Sequence, residues 1–196
     1  NAAPSARDPD FEPQLLPTSL ESFNYRGFQG GLPWDGNATL IFYNKDLFDQ
    51  ENIPYPDNDW TWDDFRRIAR ELTRDFDNDG YPDQFGNNFL FSFLDFENVL
   101  WSFGGDVLNP ERTRSLLNSP RALEAAWFIH AMRYEDRSVA WTGEMQGMLS
   151  EVQLLTGRVG MVLSSSYLIG ALNQVQDAMR WGIVHLPMGP GGDRYS

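Results

Sequence analysis

Val159-Gly160-Met161-Val162-Leu163 is a short apolar run entered through Gly157; Leu168, Leu172, Val175 and Met179 follow at helical spacing, and Trp181-Gly182-Ile183-Val184-His185-Leu186 forms a second run. A strand, a helix and a strand in that order make a crossover unit, the building block of α/β domains. Upstream, Leu40-Ile41-Phe42-Tyr43 is bounded by turn residues and reads as the first core strand. Three strands make a thin sheet for the helices that accompany them, so the expected class is helix-rich α/β.

The helices announce themselves by their starts. Thr61 stands three residues before Asp64, the spacing of a capping box, and Trp60 and Phe65 are placed for a hydrophobic staple. Phe65, Ile68, Ala69 and Leu72 then recur at helical spacing and should face the core. Ser119-Pro120 starts a second helix, with Leu123, Ala126, Trp127, His130 and Tyr134 as its expected stripe. A third presents Met145, Met148, Leu149, Val152 and Leu155.

Pro4, Pro9, Pro13 and Pro17 deny the opening a regular helix or central strand. Residues 1–19 therefore read as an extended lead-in or tag remnant, and residues 20–196 as a single α/β domain. Fourteen Phe, seven Trp and seven Tyr in 196 residues supply enough apolar surface for one core.

A formal charge of -13 repels phosphate backbones, and no cluster of Lys or Arg forms a groove for them. Nucleic acid and anionic membrane surfaces are excluded as partners, and no run of about 18 apolar residues offers membrane insertion. Without cysteine there is no disulfide, thiol nucleophile or Cys-ligated metal. His130 and His185 read as packing residues. No nucleophile elbow, Walker loop or dinucleotide fingerprint occurs, and among 28 acids no carboxylate pair is singled out for glycoside hydrolysis. These residues single out no enzyme; a secreted glycoside hydrolase or lectin-like module remains the alternative to the reading that the resemblance below implies.

Five segments carry a resemblance: 40–48 (LIFYNKDLF), 60–65 (WTWDDF), 101–108 (WSFGGDVL), 154–161 (LLTGRVGM) and 181–192 (WGIVHLPMGPGG). In this order they resemble the family 1 extracellular solute-binding proteins, which include the maltose-type binders. The resemblance implies a type II periplasmic-binding-protein fold with two α/β lobes around a sugar, this chain matching the middle section and most of the second lobe. It further implies a carbohydrate ligand, the membrane subunits of an ABC importer as partners, and a location outside the cytoplasmic membrane, whether extracellular, periplasmic or lipid-anchored.

A sugar offers hydroxyl edges and flat apolar faces, so its site combines aromatic platforms with planar hydrogen-bonding groups. Three segments supply both. Trp34, Asp35 and Asn37 precede the first strand, where a Pro/Gly turn with an incidental Trp is the plain alternative. Ser165 and Tyr167 follow the strand ending at Leu163, where a serine N-cap would give the same pattern. Ser92 and Asp95 are interleaved with Phe89, Phe91, Phe93 and Phe96, a spacing that also suits core residues. The resemblance matches Asn37 to a polar sugar contact, Tyr167 to an aromatic platform, and the 89–96 stretch to a contacting loop and helix start.

The loop Asp75-Phe76-Asp77-Asn78-Asp79-Gly80-Tyr81-Pro82-Asp83 has oxygen ligands at positions one, three and five, glycine at six, a carbonyl available from Tyr81 at seven, and Asp83 at nine. This is the wrapping order of an EF-hand calcium loop, although Gly86 stands where the bidentate Glu belongs. No cofactor is required for binding sugar; the loop has two readings, a structural calcium ion on Asp75, Asp77, Asp79, Tyr81 and Asp83, or a solvated turn built from the same residue types.

Overall fold

The computed structural model describes residues 17–88, 93–140 and 147–191. Two compact units divide between Asn37 and Ala38, downstream of the lead-in boundary read at residue 19. In the first, helix α1 (Pro17–Glu21) precedes a hairpin of β1 (Asn24–Tyr25) and β2 (Phe28–Gln29). Its two-residue turn takes positive φ at both Arg26 and Gly27, the backbone that matches strand twist, and Asn24 accepts the Gly27 N–H.

The second unit runs β3 (Thr39–Asn44), α2 (Lys45–Gln50), α3 (Trp62–Leu72), β4 (Phe85–Asn87), α4 (Phe93–Ser102), α5 (Pro120–His130), a π-turn (Ala131–Glu135), α6 (Ser150–Leu155), β5 (Val159–Ser165), α7 (Leu168–Asn173) and β6 (Trp181–Val184). Its four-stranded sheet has the order β4-β5-β3-β6. β4 and β5 are parallel, whereas β3 is antiparallel to both β5 and β6. β5 and β6 thus point the same way and are joined by α7, as the crossover reading requires, but β3 is inserted between them. The fourth strand, Phe85-Gly86-Asn87, is an addition to the three expected.

Alternation along the strands creates two cores. Ile41 and Tyr43 of β3 join Met161 and Leu163 of β5 against α2, α3, α4 and α5. Phe42 and Val162 point into the other core, with Leu154 of α6 and Leu168 and Leu172 of α7. Asn44 links the layers. Its carbonyl oxygen side accepts the Asp46 and Leu47 N–H groups to cap α2, and its amide donates to the Leu154 carbonyl at 3.0 Å.

Helix α3 follows its sequence closely. Thr61 accepts the Asp64 N–H while the Asp64 carboxylate accepts the Thr61 N–H at 3.1 Å, completing the capping box, and Trp60 meets Phe65 edge-on at 5.7 Å. The Thr61 hydroxyl, donating to the same carboxylate at 2.7 Å, and the Thr61 N–H hold the Asp64 carboxyl below its ordinary range. Because the folded value lies below the unfolded one, this contribution is complete at neutral pH and is lost as pH falls through the carboxylate range. Thr61→Ala should therefore cost about 1 kcal/mol in urea unfolding at pH 7, and the difference from wild type should narrow at pH 3.

Helix α5 departs from expectation in phase. The buried face is Ala122, Ala125, Phe128 and Ile129, while Leu123, Trp127 and Tyr134 are exposed, as are Ala126 and His130. His130 is therefore not a core residue; its ring lies 5.0 Å from Trp127 and 4.8 Å from Tyr134 on the surface. His185 is likewise exposed. Both faces of α5 are apolar, and the one bearing alanines lets the helix approach its neighbours more closely. α6 is similar: Ser150, Gln153 and Leu154 are buried, whereas Leu149, Val152 and Leu155 face outward. Met145 lies outside the described residues.

Candidate functional site

The carboxyl ends of β4, β5 and β6 lie at the sheet edge where β3 begins, because Thr39 pairs with Ser165 and Asn87 with Met161. In open α/β sheets ligands collect outside such ends. Ser165 is half-buried in the last position of β5. Ser166 follows, exchanging hydrogen bonds with Ala38: its N–H donates to the Ala38 carbonyl at 2.9 Å and its hydroxyl accepts the Ala38 N–H at 3.4 Å. Tyr167, 61% exposed, stands at the N-cap of α7, with no side-chain cap on the helix. The serine cap considered for this position is therefore not formed. Half-buried Ser165 and exposed Tyr167 thus stand two positions apart where β5 ends.

In the first unit Trp34 is fully exposed. Asp35 accepts the Gly36 N–H at 2.8 Å and the Asn37 amide N–H at 3.2 Å, so the three residues form a local polar turn that presents an indole to water. Ser92, Phe89 and Phe91 lie outside the described residues. Asp95 is buried within α4, and Phe93, expected to pack in the core, is more than half exposed.

The sequence did not single out Asn88 or Gln153. Asn88 follows the carboxyl end of β4, is buried, and donates to the Ser150 hydroxyl at 3.3 Å. Gln153, buried on the same face of α6 as Ser150, donates to the Met148 carbonyl at 2.7 Å. The amide oxygens of Asn88 and Gln153 have no hydrogen-bond partner among the described residues. Leaving a buried acceptor unmet costs about 1–3 kcal/mol. The available signal was the inward polar face of α6, which an apolar-periodicity reading passes over.

The acidic loop is folded around its own carboxylates. Asp75 accepts the Gly80 N–H at 2.9 Å, Asp77 that of Asp79 at 3.1 Å, Asp79 that of Tyr81 at 2.8 Å, and Asp83 that of Phe76 at 2.8 Å. Asn78 and Gly80 take positive φ, and Arg137 closes the loop by donating to the Gly80 carbonyl at 3.0 Å. One oxygen each of Asp75, Asp77 and Asp83 lies within 4.8 Å of the others. Asp79 stands outside that group. Asp75 Oδ1 is buried without a hydrogen-bond partner among the described residues, which fits a cation as its missing neighbour.

The family model described as bacterial extracellular solute-binding protein matches residues 2–193. A curated relative, a binding protein of Brucella abortus, is 27% identical over 94% of this chain and 44% of its own length. Among solved structures, an ABC substrate-binding protein of Listeria monocytogenes in complex with cycloalternan is similar with a TM-score of 0.81 and 27% identity, over 94% of this chain and 46% of that one. Maltose-bound MalE3 of T. maritima gives 0.72 and 26%, over 93% and 46%. The chain therefore spans less than half the length of these relatives, whose fold is the type II periplasmic-binding-protein architecture expected from the sequence.

Proposed function

As the chain belongs to the bacterial extracellular solute-binding proteins, we propose that it supplies one lobe of the substrate-binding component of an ABC importer, capturing a mono- or oligosaccharide outside the cytoplasmic membrane. The observation that carries this reading is Tyr167, an exposed ring beside Ser165 at the carboxyl edge of the sheet. The sugar's flat face would stack on it while a hydroxyl edge meets Ser165. Similarity to proteins solved with cycloalternan and with maltose supports a carbohydrate as the ligand. Capture would proceed by hinge closure, the sugar favouring the closed state through contacts to both lobes, and the importer's membrane subunits would recognise that state.

Calorimetric titration of the complete gene product against an oligosaccharide panel, with a parallel product assay, tests the reading. Binding without turnover is expected, and cleavage of the sugar would sink it. Tyr167→Ala should weaken binding by about 2 kcal/mol, roughly thirtyfold, with the melting temperature unchanged because the ring is already exposed.

The acidic loop is proposed to hold a structural calcium ion through Asp75, Asp77 and Asp83, with Asp79 and the Tyr81 carbonyl as the remaining loop ligands of the sequence pattern. The spacing of the three carboxylates and the orphaned Asp75 oxygen support it. At a hundredfold excess over Kd, calcium should add about 2.7 kcal/mol of stability. Identical melting curves in millimolar calcium with and without excess EDTA would remove the ion from the account.

A further inference from the structure

The sheet has a second end, away from Tyr167. β3 runs from Thr39, beside Ser165, to Asn44, beside Trp181. Five steps of about 3.4 Å separate these ends by roughly 17 Å. At the Trp181 end lies an open surface cleft of about 440 Å³ with Tyr55 and Trp181 among its walls.

We propose that this cleft is a second carbohydrate-binding site, taking a neutral pyranose ring between Tyr55 and Trp181. Its lining has the composition such a ring needs. Two aromatic side chains come from separate segments, and Asn173 and Gln176, both exposed, bring planar amides that offer donors and acceptors together. The Lys45 ammonium lies over the Tyr55 ring, 5.6 Å from its centre, so a sugar would meet Tyr55 alongside this cation.

The walls are held before any ligand arrives. Tyr55 donates its phenol proton to Asp49 at 2.6 Å, and that hydrogen bond raises the phenol pKa, keeping it protonated. Arg180 bonds Asp46 and Asp49, each at 2.7 Å, so its charge is neutralised within the wall and does not make the cleft an anion trap. Trp181 is backed by Phe42 at 6.2 Å, and buried Met179 forms the floor. Holding the rings in place lowers the ordering cost of binding. The carboxylates nearest the cleft, Asp46 and Asp49, are taken up by Arg180 and Tyr55.

Maltose and mannobiose are the probes, titrated separately into the complete gene product while the indole N–H cross-peak of Trp181 is followed by NMR. That peak is assigned by its loss in Trp181→Phe. A saturable shift is expected with at least one of the two sugars, retained in Tyr167→Ala. In Asn173→Ala/Gln176→Ala, whose exposed substitutions leave the melting temperature unchanged, affinity should fall about tenfold. No saturable shift with either sugar up to its solubility, or a shift undiminished in the double variant, overturns the proposal. A sugar response that vanishes in Tyr167→Ala while Trp181 stays still also overturns it and leaves the reading of the Tyr167 edge standing; the reverse pattern overturns that reading alone.

Discussion

Replacing Gly86 by alanine is expected to lower stability by about 3 kcal/mol or more, shifting the urea midpoint by a large fraction of its value. A Cβ at this position would sit 2.0 Å from the Ala69 carbonyl oxygen and 2.4 Å from its carbon. These are backbone atoms of α3, and no rotamer change moves them aside. Gly86 is also the middle residue of β4, fixed between the pairs Phe85–Val159 and Asn87–Met161, so the strand is tethered as well. Gly170→Ala is the matched control. A Cβ there meets nothing within 4 Å, and in a helix the change should stabilise by about 0.5–1 kcal/mol. A Gly86→Ala protein that unfolds at the wild-type midpoint would mean that α3 and β4 are not in this contact.

Phe65→Ala should cost about 3–5 kcal/mol. The ring is buried and meets Trp60 at 5.7 Å and Trp62 at 5.4 Å, both edge-on, so truncation removes its own burial and two aromatic contacts. Trp127→Ala, on the exposed face of α5, should change stability by no more than about 0.5 kcal/mol. Guanidinium titrations of the pair would report which faces of α3 and α5 are buried. A large loss at Trp127 would restore the stripe first read from the sequence.

What could be read in advance follows from how many signals agreed. On α3, cap, staple and apolar period all pointed one way, and the structure has each of them. On α5 the cap was equally plain, yet apolar residues occupy both faces, and periodicity alone does not choose between Leu123-Trp127-Tyr134 and Ala122-Ala125-Phe128-Ile129. The closeness of packing made that choice. β4 is three residues long, with glycine and asparagine in two of them, so neither length nor side-chain type marks it as a strand. Gly86 shows the same limit from another side. Counted along the acidic loop it is a missing calcium ligand; in three dimensions it is where α3 crosses β4, and no glutamate fits.

Of the residues proposed to meet a sugar, Ser165 and Tyr167 were visible in the sequence because they directly follow an apolar strand. Asn88 and Gln153 were not, since an amide near a strand or inside a short helix is ordinary until its burial is known.

The placement of β3 governs when the molecule can become itself. Ala38 and Ser166, which bond to each other, are 128 positions apart, and both neighbours of β3 come from the last third of the chain. During synthesis β3 leaves the ribosome well before β5 and β6 and has no sheet partner until they follow. Closing so long a loop makes sheet formation a late and slow event, and until then Ile41, Phe42 and Tyr43 are an unprotected apolar segment. A nascent chain arrested before Val159 should therefore be a better client for chaperones than the finished protein.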